Sequence, residues 1–121
     1  MPLRRFALLL TAVTLSTAAL ATPAPATSTR YPLTLDNCGV PLTFTHAPLK
    51  AVTIGQAATE MLYALGVGEH VAATSLWFNA VLPQYKAVND GIERLADNAP
   101  GLESVIARRP DFVPVQFEWM V

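Results

Sequence analysis

The sequence predicts an α/β fold: an N-terminal β-hairpin followed by a βαβαβ parallel sheet. Three observations predict it. Apolar and polar residues alternate on both sides of Asn37-Cys38-Gly39, short apolar runs begin at Ala51 and Val71, and a helical apolar pattern separates those runs.

The chain opens on an apolar stretch. Arg4 and Arg5 precede a charge-free run over residues 6–20 that ends at Ala19-Leu20-Ala21, so residues 1–21 are expected to be an export signal. The run is short for a hydrocarbon core that needs about 20 apolar residues, and Thr22-Pro23-Ala24-Pro25 follows it instead of a stop-transfer flank. An uncut N-terminal anchor is the other reading. No Cys lies near Ala21, which excludes lipid attachment there. Residues 22–30 are rich in Pro, Ala, Ser and Thr and are expected to form a flexible linker, because they cannot bury enough apolar surface to hold one shape.

Folded structure is expected from Tyr31. Pro32-Leu33-Thr34-Leu35-Asp36 and Val40-Pro41-Leu42-Thr43-Phe44-Thr45 read as the two strands of the hairpin, with Pro41 confining its strand to an edge. Ala51-Val52-Thr53-Ile54 reads as a buried strand ending at Gly55. Ala58, Met61, Leu62 and Leu65 recur at helical spacing, which predicts a helix with those residues inward, stopped by Gly66. Val71-Ala72-Ala73-Thr74 is the second parallel strand. Leu102, Val105 and Ile106 mark a short helix before Pro110, and Phe112-Val113-Pro114-Val115 is expected as the third parallel strand, with Pro114 removing one ladder donor. Parallel sheets are covered on both faces, and the sequence stops directly after that strand. Residues 31–121 are therefore expected to be a fragment of a longer protein or a domain completed by another chain.

Composition narrows the function. With 52% apolar and 14% charged residues in 121, the chain suits one small domain and neither a disordered segment nor a coiled coil. Eight basic residues face 9 acidic ones, with no basic cluster to neutralise a row of phosphates, so nucleic-acid binding is excluded. Cys38 is the lone cysteine. In an exported chain it either pairs outside this sequence or is a buried free thiol.

Ligands of open parallel sheets bind beyond the carboxyl ends of the strands. Three segments qualify: Gly55-Gln56-Ala57, Ser75-Leu76-Trp77-Phe78-Asn79 and Gln116-Phe117-Glu118-Trp119. They hold both tryptophans together with Phe78 and Phe117, which predicts an aromatic rim for a ligand; packing of Trp77 and Phe117 beneath further structure is the alternative. The turn at Gly55 could hold an anionic oxygen on helix N–H groups, though no phosphate-loop spacing is present. Catalytic sets are thin. There is no Gly-x-Ser-x-Gly elbow, and Asp36, Cys38, His46 and His70 lack metal-ligand spacing, so neither an enzyme nor a metal or cofactor site is expected.

Three stretches resemble a known family: Tyr31 to Gly39, Ala57-Ala58-Thr59-Glu60-Met61-Leu62-Tyr63-Ala64-Leu65-Gly66-Val67-Gly68, and Leu95-Ala96-Asp97 with Leu102-Glu103-Ser104-Val105-Ile106-Ala107-Arg108-Arg109-Pro110-Asp111-Phe112-Val113. They are similar to the periplasmic substrate-binding proteins of iron-siderophore, haem and vitamin B12 ABC importers. Asn37-Cys38-Gly39 leans towards the iron-complex branch. The resemblance implies a two-lobed periplasmic receptor with a helical linker, of which this chain would be the truncated first lobe. It implies a small-molecule metal-chelate ligand and a membrane permease as partners, the protein itself not being transmembrane. Carried over by position, Gln56, Trp77 and Trp119 would lie on the cleft face, and Glu103 matches the acidic residue that docks on the permease. The leading expectation is thus a non-enzymatic receptor for an iron-siderophore. A haem or cobalamin receptor, or a secreted enzyme fragment or interaction protein that dimerises over its open sheet, are the alternatives.

Overall fold

A computed structural model describes residues 28–120. The expected export signal and residues 22–27 of the expected linker lie outside the described residues; residues 28–30 carry no regular structure. The elements that follow are a hairpin and a parallel sheet with short helical connections.

β1 (Leu33–Asn37) and β2 (Val40–Phe44) pair antiparallel with Asn37 opposite Val40, leaving Cys38 and Gly39 as a two-residue loop. Both loop residues have positive φ, 54° and 82°, the type I′ geometry whose twist matches that of the strands. The Gly39 N–H donates to Asp36 Oδ1 at 2.9 Å and closes the turn. Cys38 is exposed at the tip, so it is not the buried thiol that the sequence allowed. The hairpin meets the rest of the molecule where Phe44 packs edge-on against Phe112, their centroids 6.0 Å apart.

β3 (Ala51–Ile54), β4 (Val71–Ser75) and β5 (Glu93–Ala96) form a parallel sheet in the order β3-β4-β5. The third regular strand is therefore β5, not the segment 112–115 expected from its apolar run. That segment lies on the other side of β3, held by isolated parallel bridges Ala51 to Phe112 and Ile54 to Val115. Proline explains the difference. Val52 N–H donates to Phe112 O, Ile54 N–H to Pro114 O and Gln116 N–H to Ile54 O, but the rung that residue 114 would donate to Val52 O has no N–H to make it.

Alternation along the strands assigns the two faces. Val52, Ile54 and Ala73 point to one side, where they form the core with Leu76 and with Val105 of α3 (Leu102–Ile106). Burying a Val or Ile side chain contributes roughly 1.5–3 kcal/mol, so the seating of Val105, rather than intrinsic propensity, holds a five-residue helix. Arg108 also ties the end of α3 to β5 by a two-pronged pair with Glu93, its Nε 2.7 Å from Oε2 and its Nη2 on Oε1. The Arg108 hydrogen bond holds the Glu93 carboxyl below its ordinary value.

Thr53 and Thr74 point to the other side, towards α1 (Gln56–Ala64). α1 turns a different stripe inward from the one its apolar spacing suggested: Thr59 and Tyr63 are buried, while Met61 and Leu65 are 62% and 68% exposed. The reason is polar. Thr59 Oγ1 donates to Gly55 O at 2.9 Å and accepts from the Thr53 and Thr74 hydroxyls at 2.7 and 2.8 Å, so its burial leaves no hydroxyl unpaired. The helix stops as Gly66 predicts. Gly66 has φ 74°, its N–H bonds Tyr63 O and the Val67 N–H bonds Leu62 O, a Schellman cap. A short α2 (Lys86–Asn89) precedes β5.

Candidate functional site

The chain steps from β3 to β4 to β5, then returns to the far side of β3 at residues 112–115. The order reverses between β3 and that returning segment, and such a switch point opens a crevice at the carboxyl ends of the strands. Gly55-Gln56 leaves β3 there and Gln116-Phe117 leaves its neighbour.

Gly55 has φ 120°, and a Cβ on it would stand 2.4 Å from Gln116 Cβ, so glycine is required twice over. Into that space comes the Gln116 side chain, whose Oε1 accepts the Ala57 N–H at 3.0 Å. One of the helix N–H groups expected to be open to an anionic oxygen is thus already engaged within the chain.

The aromatic residues divide between two places. Trp77 is 8% exposed; its Nε1 donates to Thr74 Oγ1 at 3.0 Å and the Arg94 guanidinium lies 4.8 Å from its ring centroid. It extends the threonine network behind the crevice and does not stand on the rim, as its place in sequence suggested. The cause is Leu76, a non-glycine residue at φ 59°, which sends its own side chain into the α3-side core and its neighbour to the opposite face.

Phe78, Phe117 and Trp119 come together, Phe117 half-buried against the α3-side core and the other two exposed. Phe117 and Trp119 stack at 5.6 Å with 22° between their planes, and Phe78 meets Phe117 edge-on at 6.1 Å. Phe78 and Trp119 are 62% and 69% exposed, so the cluster presents aromatic surface to solvent. The Gln56 amide is occupied: Oε1 accepts Asn79 N–H at 3.1 Å, while Nε2 donates to Ala80 O and to Glu60 Oε1, each at 3.2 Å. Glu60 Oε1 also accepts Leu82 N–H at 2.9 Å. Gln56 therefore fixes the loop that carries Phe78.

Tyr63 is a buried titratable group on α1. Burial pushes its phenol up to about 12, opposed by Arg94 and reinforced by Glu60, and its hydroxyl donates to Asn89 Oδ1 at 3.2 Å. It stays neutral and structural. Glu103 is exposed in the first turn of α3. Among the described residues, no group of three or more His, Cys, Asp or Glu side chains could hold a metal ion, and no helix is long and apolar enough to cross a membrane.

Sequence reasoning missed Gln116 and the Thr53–Thr59–Thr74 network. A threonine in the middle of a fully apolar strand run was the available signal, since a buried hydroxyl must find a partner. Gln116 carried no comparable mark.

No family model matches the chain, and no curated protein matches it. Solved structures do match. A periplasmic binding protein from Veillonella parvula dsm 2008 aligns over 67% of this chain and 28% of its own, with a TM-score of 0.58 and 30% sequence identity. An ABC-type Fe3+-hydroxamate transport system from Saccharomonospora viridis DSM 43017 aligns over 69% of this chain and 32% of its own, with a TM-score of 0.60 and 28% identity. The fold is that of part of a periplasmic binding protein. The chain spans about a third or less of the length of these proteins.

Proposed function

We propose that this chain is a solute-binding component of an ABC importer, taking a ferric siderophore or related metal-organic complex and passing it to a membrane permease. The supporting observation is the stack of half-buried Phe117 on exposed Trp119, with Phe78 edge-on, at the switch point of the sheet. Similarity to an Fe3+-hydroxamate transport protein favours a ferric hydroxamate among such ligands. Phe78, Phe117 and Trp119 supply the contact surface, and Gln56 and Trp77 support it from behind. Residues 31–121 act as one lobe of a periplasmic receptor, exported by residues 1–21. Glu103 offers a charge for docking on the permease, and this role rests on likeness to the family.

An open aromatic face covers one side of a ligand, whereas good pockets enclose 70% or more of it. Ferrioxamine B is therefore expected to quench tryptophan emission weakly, with half-saturation at millimolar concentration, and Trp119→Ala is expected to remove the response. Stronger quenching by haemin or cyanocobalamin would move the assignment to those ligands. Equal quenching of wild type and Trp119→Ala would remove the proposed face.

A further inference from the structure

Two loops carry the exposed aromatics, and both are tied to the first turns of α1. Gln56 and Glu60 hold the loop after β4 through Asn79, Ala80 and Leu82. The segment after residue 115 depends on Gln116. Its backbone N–H donates to Ile54 O at 2.9 Å and its side-chain Oε1 accepts the Ala57 N–H at 3.0 Å, so one residue is bonded at both ends to the β3–α1 turn. α1 has no side-chain cap of its own, because its N-cap is Gly55. A side chain reaching across from another segment supplies the acceptor, and Gly55 leaves the room for it. Phe117 follows immediately.

We infer that Gln116 is the positioning residue that sets Phe117 and Trp119 against Phe78; its effect on ligand affinity rests on the aromatic face proposed above, whereas its effect on the stack does not. Removing the side-chain acceptor leaves the backbone bond to Ile54 and the packing of Phe117 on the α3-side core as the tethers, and loosens the stacked pair against Phe78. Gln116→Met keeps length and removes the acceptor. Gln116→Glu keeps an oxygen where Ala57 needs one.

The test uses the full chain labelled with fluorotryptophan, in which Trp77 and Trp119 give separate fluorine resonances because one is buried and the other exposed. In Gln116→Met the Trp119 resonance is expected to move towards that of the free amino acid while the Trp77 resonance stays in place. Half-saturation by ferrioxamine B is expected to rise about tenfold, and Gln116→Glu to return both readouts to within about twofold of wild type. The inference is overturned if the Trp119 resonance does not move in Gln116→Met, or if Gln116→Glu behaves like Gln116→Met. It is equally overturned if both resonances collapse together, because Gln116 would then hold the whole fold. Should wild type take up no ferrioxamine B, the proposed ligand fails, and the fluorine shift alone still decides the role of Gln116.

Discussion

Thr59 Oγ1 lies 2.8 Å from Thr74 Oγ1, and this contact joins α1 to β4 inside the molecule. Trp77 Nε1 donates to Thr74, Thr74 and Thr53 donate to Thr59, and Thr59 donates to Gly55 O. Thr59→Val keeps the shape and strands these partners, so it is expected to lower unfolding free energy by about 2–3 kcal/mol in urea titration. Thr59→Ser keeps the hydroxyl and is expected to cost about 1 kcal/mol, the loss of one methyl. Equal stability of the two variants would show that the network is not what holds α1.

Gly55→Ala tests the turn that brings β3 to Gln116. An alanine there must adopt φ 120° with its Cβ 2.4 Å from Gln116 Cβ, so a loss of about 2 kcal/mol or more is expected in thermal or urea unfolding. A gain in stability, the usual result of Gly to Ala at a compatible site, would contradict the turn geometry.

Acid stability should depend on Asp111. Its carboxylate accepts the Leu49 and Lys50 N–H groups at 2.9 and 2.8 Å, and those two bonds hold its pKa below the ordinary aspartate value. A folded pKa lower than the unfolded one gives stability that is present above the ordinary value and lost as pH falls through the folded one. Stability measured from neutral pH downward is expected to fall less steeply at the acid end in Asp111→Asn than in wild type. Parallel profiles would remove Asp111 as a contributor.

The legible parts of the fold were those where local chemistry and tertiary context agree. The hairpin followed from alternation around Cys38-Gly39, and β3 and the stop of α1 followed from an apolar run and a glycine. Where tertiary partners decide, the sequence was silent. β5 reads Glu93-Arg94-Leu95-Ala96, too charged to announce a strand, yet its edge position lets Glu93 pair with Arg108. Thr59 is buried in place of Met61 because hydroxyls from two strands, β3 and β4, converge on it. In the candidate site, the aromatic loops were visible as residue types, but the αL conformation of Leu76, which turns Trp77 inward, was not.

Line broadening of backbone amides by paramagnetic ferrioxamine B, measured against its diamagnetic gallium analogue, tests the proposed ligand face most directly. The proposed face predicts broadening confined to the amides of residues 77–80 and 116–119. A hollow of about 610 Å³ lined by Leu102, Val105, Ile106 and Val113 on the α3 side should be untouched. Broadening centred on that hollow, or none at any concentration reached, would contradict it.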